Sequence, residues 1–165
     1  MTEMAVGGAT VEALERLYRV DLPRFVRTAT AITGDETAGR DVVQDAFVQA
    51  VRKRDSYKSD APLEAWVWRI VINEARALRR RRASAFESIS AMVEPTNGVP
   101  EHDADVRGWI ASLPERQRLV VFLRYFADLD YRSIATALDV EVGTVSATLA
   151  AAHAALRRSH EEAVR

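Results

Sequence analysis

Residues 130–158 read DYRSIATALDVEVGTVSATLAAAHAALRR. Asp130 precedes a short amphipathic run and can accept hydrogen bonds from the free N–H groups of a first helical turn. Asp139 ends the run; aspartate tolerates the left-handed backbone of a tight turn better than most residues. Apolar positions resume at Val145 and Leu149. The spacing predicts a helix over Tyr131–Leu138 and another from about Gly143 to Arg158, packed as a helix-turn-helix. Ala135 is the small contact residue, and Ile134, Leu138, Val140, Val145 and Leu149 form the shared core. A plain hairpin of a helical bundle has the same pattern.

Working outward, Leu119, Val120, Phe122, Leu123 and Phe126 mark a preceding helix. Pro114 and the Ser112-x-x-Glu115 spacing predict its start as a capping box. Nearer the N-terminus, Leu14, Leu17, Tyr18, Leu22, Phe25, Val26 and Ala29 recur at three- and four-residue steps. Pro23 is expected to kink that helix or split it in two. Thr33-Gly34-Asp35 punctuates. A second helix is expected over Glu36–Arg54, with Val42, Val43, Ala46, Phe47 and Ala50 as its stripe. After a loop at Asp55–Pro62, a third is expected over Leu63–Arg82. No alternating run reads as a strand, so the predicted class is all-α.

The 165 residues are 48% hydrophobic and 28% charged, with a net charge of −1. That apolar content supports a packed core and argues against general disorder. The charge is unevenly spread. Residues 1–82 carry a net +3, residues 83–106 a net −5 with no Lys or Arg, and residues 107–165 a net +1. Pro95, Asn97, Gly98 and Pro100 add breakers to the acidic stretch. The expected organisation is a first helical lobe over 1–82, a flexible acidic linker over 83–106 and a second lobe over 107–165. An ordinary surface loop is the plainer reading of the middle segment. With no cysteine, disulfides, thiolate metal sites and a cysteine nucleophile are excluded. No leader and no membrane-length apolar run is visible, so a cytoplasmic location is expected.

Two stretches carry binding chemistry. The third helix holds Trp66, Trp68, Arg69, Asn73 and Arg76, then Arg79-Arg80-Arg81-Arg82. Arginines neutralise phosphates and release counterions, and aromatics offer a face to an unstacked base. Ser56, Tyr57 and Lys58 lie just before it. Trp66 and Trp68 sit about 200° apart on a helix, so one is expected inside and the other outside. Read blandly, both are core residues and the arginine run is a solvated helix end.

The stretches GDETAGRDVVQDAFVQAV and DAPLEAWVWRIVINEARALRRRR resemble region 2 of the bacterial extracytoplasmic-function sigma factors. LPERQRLVVFLRYFADLDYRSIATALDVEVGTVSATLAAAHAALRR resembles their region 4. The resemblance covers roughly residues 9–82 and 106–158, in that family's order. It implies core RNA polymerase and promoter DNA as partners, with an anti-sigma factor as a further one, and no cofactor, metal or enzymatic activity. Asp41, Val42, Val43, Gln44, Asp45 and Phe47 match the segment that docks on the polymerase clamp. Ser56, Tyr57, Lys58, Trp66, Arg69, Asn73 and Arg76 match the part that melts and reads the −10 element, with Arg79 and Arg80 gripping duplex phosphates. The acidic linker matches the strand that threads the polymerase cleft. The helix from Gly143 to Arg158 matches the one entering the major groove at the −35 element. There Thr144, Ser146, Ala147 and Thr148 are the candidate base contacts, with Arg124, Arg132, Arg157 and Arg158 for phosphates.

One departure stands out. Family members carry several Lys or Arg along that last helix, whereas here none appears between Gly143 and Arg157. Bidentate arginine–guanine contacts, worth about 1–3 kcal/mol each in discrimination, are therefore missing from its first turns. Weaker −35 reading is expected, and the Ala-rich face also suits a protein partner. Two other readings fit parts of the chain: a free-standing helix-turn-helix regulator, and a sigma-like interaction module with weakened −35 binding. Enzyme readings find little support. His102, His153 and His160 show no ligand spacing, and no phosphate-loop, dinucleotide or nucleophile-elbow motif is present.

Overall fold

The structure is a computed structural model and describes residues 7–86 and 101–165. Seven helices and one short 3-10 turn form its regular elements among the described residues. The first lobe contains α1 (Val11–Thr33), α2 (Glu36–Arg52), a 3-10 turn (Arg54–Ser56) and α3 (Leu63–Phe86). The second contains α4 (Glu101–Ser112), α5 (Glu115–Tyr125), α6 (Tyr131–Leu138) and α7 (Val142–Ala163).

Local chemistry sets the boundaries. The Thr10 hydroxyl caps α1 by accepting from the Ala13 N–H at 3.1 Å. Gly34 closes it at φ 80°, where a side chain would be strained. The Asp35 carboxylate then accepts from the Ala38 N–H at 2.8 Å and opens α2. Pro23 lies inside one continuous α1 and does not split it. Gly39 lets α2 cross α1 closely. A Cβ there would lie 2.7 Å from the Thr30 nitrogen and 2.9 Å from its Cα.

The first core is aromatic. Phe25 on α1 packs edge-on to Phe47 of α2, with ring centroids 5.3 Å apart, and lies 4.3 Å from Trp68 of α3. Val43, Val67, Val71 and Ile72 complete it and are inaccessible to solvent. In the second lobe Leu123, Ile134, Val145 and Leu149 are buried together, and α6 and α7 meet at 100°, the angle of a helix-turn-helix.

Asp130 caps α6 through a 2.7 Å bond from the Ser133 N–H. Asp139 ends that helix at φ 55°, ψ 52°, as the sequence requires. The capping-box expectation at α5 fails. Ser112 belongs to the end of α4, where its hydroxyl donates back to the Trp109 carbonyl at 2.7 Å, and Pro114 occupies the N-cap without a side-chain bond. Within the stretch 83–106 read as linker, α3 continues to Phe86 and α4 begins at Glu101. Glu87 and Glu94 of that linker, with the breakers Pro95 to Pro100, lie outside the described residues.

The lobes pack on each other. α3 lies against α6, α1 touches α5, and one apolar cluster runs through both lobes. The Arg24 guanidinium on α1 donates to the carbonyl of Ala127, beyond the end of α5. It is itself held by Asp21 at 2.6 Å and Glu64 at 3.0 Å. No single helix among the described residues is long and apolar enough to cross a membrane.

Candidate nucleic-acid interface

Positions 66, 69, 73 and 76 recur every three or four residues, so α3 carries Trp66, Arg69, Asn73 and Arg76 on one face. The two tryptophans divide as their spacing predicts. Trp68 is fully buried and its indole N–H donates to Glu64 at 3.3 Å, whereas Trp66 is half-buried. The Tyr57 ring lies 5.5 Å from that of Trp66, tilted by 51°, and the Tyr57 hydroxyl donates to the Ala61 carbonyl. The loop thus holds one aromatic ring beside another at the base of the arginine face. Lys58 is exposed nearby. The Ser56 hydroxyl instead turns to its own backbone, donating to the Lys53 carbonyl at 2.7 Å.

The second lobe covers part of this face. Arg69 meets the Asp139 carboxylate at 3.3 Å. Arg76 donates to Glu115 at 3.1 Å, and Arg79 lies 3.9 Å from the same carboxylate. Beside the Arg69–Asp139 pair is a polar crevice of about 620 Å³, bordered by Trp66 and Arg69 on one side and Arg132, Thr136 and Asp139 on the other. Asn73, Arg80, Arg81 and Arg82 remain exposed.

On α2 the expected docking set separates by orientation. Asp41, Gln44 and Asp45 face solvent, while Val42 and Val43 are buried in the first core. The valines shape the helix's position and do not present themselves to a partner. Phe47 is 8% exposed and lines an open apolar groove of about 600 Å³ between α1 and α2, with Val11, Tyr18, Val48 and Val51.

On α7, Ser146 and Ala147 are exposed, Thr144 and Thr148 are half-buried, and Arg157 and Arg158 are exposed two turns or more farther along. Gly143, Ala150, Ala151 and Ala154 are exposed as well, so apart from the exposed His153 the outward face there is made of small side chains with no Lys or Arg. Arg132 is exposed at the start of α6. Arg124 reaches the Leu129 carbonyl at 3.3 Å and Asp128 at 3.8 Å. Asp130 between them titrates below the usual carboxylate range, first because it accepts the Ser133 backbone and hydroxyl hydrogen bonds and then because Arg132 and Arg124 stand near. Sequence reasoning missed one pair, Tyr125 and His153, joined at 2.8 Å between the Tyr hydroxyl and Nε2 across α5 and α7. Nothing in the spacing of two residues 28 apart announces that contact.

Residues 17–85 match the family model for sigma-70 region 2, and residues 105–156 match that for sigma-70 region 4. The chain is 34% identical over 145 residues to the ECF RNA polymerase sigma-E factor of Escherichia coli K12, covering 76% of this chain and 75% of that protein. This chain belongs to the extracytoplasmic-function group of the sigma-70 family. It is a sigma factor, a protein that directs RNA polymerase to promoters. The sigma-H factor of Pseudomonas aeruginosa is 31% identical over 149 residues, covering 79% of this chain and 77% of that one. Among solved structures, the sigma factor RpoE of Bartonella quintana, in complex with the anti-sigma factor NepR, superposes with a TM-score of 0.74. It is 21% identical, and the match covers 92% of this chain and 98% of that one. CnrH, in complex with the cytosolic domain of CnrY, gives 0.70 at 26% identity, covering 93% and 91%.

Proposed function

We propose that this sigma factor divides its work between two lobes, the first (1–82) docking on core RNA polymerase and reading the −10 element and the second (107–165) reading the −35 element. Asp41, Gln44 and Asp45 on α2 offer carboxylates and an amide to a basic helical partner, and the apolar groove beside Phe47 extends that surface. Tyr57 and Trp66 receive an extruded base, Arg69, Asn73 and Arg76 meet bases or backbone along α3, and Arg79 and Arg80 take duplex phosphates. On α7, Thr144, Ser146, Ala147 and Thr148 meet base edges, with Arg124, Arg132, Arg157 and Arg158 on the flanking backbone. The chain contributes binding energy, and the polymerase performs the chemistry. Work on promoter DNA places it in the cytoplasm. An anti-sigma factor is a fitting partner, since the solved RpoE sigma factor is in complex with one, and CnrH is likewise in complex with another protein's cytosolic domain.

The observation that carries this reading is the single α3 face bearing Trp66, Arg69, Asn73 and Arg76, with the Tyr57 ring 5.5 Å from Trp66. It calls for unstacked bases and phosphates together, which duplex binding by a helix-turn-helix alone does not need. The test is run-off transcription with purified core polymerase on fragmented genomic DNA. Defined start sites that require the chain, and that disappear with Asp41→Lys and Asp45→Lys, support it. Core polymerase that initiates identically with and without the chain refutes it.

A further inference from the structure

The contact between Tyr125 and His153 lies on the surface of the second lobe, outside its core. Tyr125 is 58% exposed, His153 is exposed, and the ring centroids are 5.8 Å apart with the phenol oxygen 2.8 Å from Nε2. A phenol serves either form of an imidazole, donating to a bare Nε2 or accepting from Nε2–H. Tyr125 thereby holds the ring in one orientation and leaves Nδ1 for another partner. Along α7, Ser146, Ala150, His153 and Arg157 follow one another at steps of four, three and four residues and form one row on the outward face. His153 stands ten residues beyond Gly143, about 15 Å along the helix axis. The major groove is about 12 Å wide. A helix that sets its first turns against base edges therefore brings His153 to the rim of the groove, where the phosphates lie.

We propose that His153, held by Tyr125, is a phosphate contact of the second lobe that becomes cationic only when its ring takes up a proton. The proposal rests on the duplex-reading role given to α7 above. Imidazole is the side chain that gains its charge between about pH 8 and pH 5. The charged groups around His153 leave its outward side open. α7 carries no Asp or Glu between Gly143 and Arg158, and Glu161 and Glu162 lie more than two turns from His153. On α5, Arg124 precedes Tyr125 and pairs with Asp128 at 3.8 Å. On α6, Arg132 is exposed, and Asp139 at its end is engaged by Arg69. α4 meets α7 farther along, where the Trp109 and His160 rings lie 5.6 Å apart. Arg157 stands one turn beyond His153. Two cations at that spacing repel each other in the free chain, and a phosphate oxygen between them removes the repulsion. Proton uptake from solvent and duplex binding therefore favour each other. A helix without the fixed cations of its family thus holds a conditional one.

The test is binding of core polymerase with the full chain to a duplex spanning a mapped start site, at pH 8 and pH 6 and over a range of salt. A second duplex stops just upstream of the −10 element, so the difference between the two isolates what the second lobe holds. On the long duplex, acidification is expected to raise wild-type affinity about fivefold more than that of His153→Gln. At pH 6 the wild-type salt dependence is steeper than that of His153→Gln by about 0.9 in log–log slope. His153→Arg carries its charge at both pH values and keeps the steeper slope at both. His160→Gln, farther along the same helix, is the control and retains the wild-type response. Equal pH and salt responses of wild type and His153→Gln on the long duplex overturn the phosphate contact. Wild-type affinity that is the same for the long and short duplexes at both pH values overturns instead the reading of α7 beneath it, so the two failures are told apart.

Discussion

α3 and α7 are both long helices with a face proposed to meet nucleic acid, and the two faces are built in opposite ways. Along α3 the face carries an aromatic ring or a cation at nearly every turn, and the second lobe covers half of it. Along α7 the face carries Gly, Ser, Thr and Ala beside His153, stays open and has no Lys or Arg before Arg157. A cationic face attracts any polyanion, so a chain that must choose its site gains from shielding it. A small neutral face attracts little by charge and reads by shape and methyl contacts, so it needs no cover. Most of the phosphate affinity is therefore expected to come from the first lobe, and the second to refine position.

The largest test of this contrast separates the two tryptophans of α3. Trp68→Ala removes a fully buried ring packed on Phe25 and should cost about 3–5 kcal/mol in denaturant-induced unfolding. Trp66→Ala, half-buried at the lobe boundary, should cost less than half of that while abolishing promoter melting. Equal losses of stability would mean that Trp66 is a core residue and that α3 has no reading face. Next is Gly39→Ala, where the new methyl meets the α1 backbone at 2.7–2.9 Å and should cost about 1–3 kcal/mol by the same measurement. An unchanged midpoint would show that α1 and α2 have room to part.

Asp130→Ala removes the α6 cap and should cost about 1 kcal/mol. Its carboxyl is held below the usual range in the folded chain, so folding gains from the charged form. That gain is complete above the unfolded carboxylate range and is lost as pH falls through the lowered folded value. Acid titration of wild type against Asp130→Asn should show the difference shrinking in that window. The smallest effect sharpens the α7 half of the comparison. Ala147→Arg places one cation on the bare face and should steepen the salt dependence of duplex binding by about 0.9 in log–log slope. No change in slope would mean that this face does not meet the duplex.

Much of this was legible in the chain itself. Asp130 and Asp139 bracket α6 so clearly that its ends follow from capping and turn chemistry alone, and Gly34-Asp35 does the same between α1 and α2. The inward and outward tryptophans follow from a 200° separation. Other features resist sequence reading for physical reasons. The first turns of α4 carry His102, Asp103 and Asp105, and α4 follows breakers, so its pattern looked like linker. Ser112 has the spacing of a capping box, but the preceding helix had already claimed its hydroxyl. Val42 and Val43 sit in a stripe that matches a docking segment, and only the packing of α2 on α1 and α3 shows that they face inward. The Arg69–Asp139 and Arg76–Glu115 pairs join residues far apart in sequence, and local periodicity carries no trace of them.

The central claim is that α3, carried to DNA by the polymerase, opens the promoter. Permanganate reactivity of thymines just upstream of a mapped start site measures that opening directly. With core polymerase and the wild-type chain, those thymines should become reactive, and Arg69→Ala with Asn73→Ala should return them to the level of core polymerase alone. Reactivity that persists in the double variant would contradict the account.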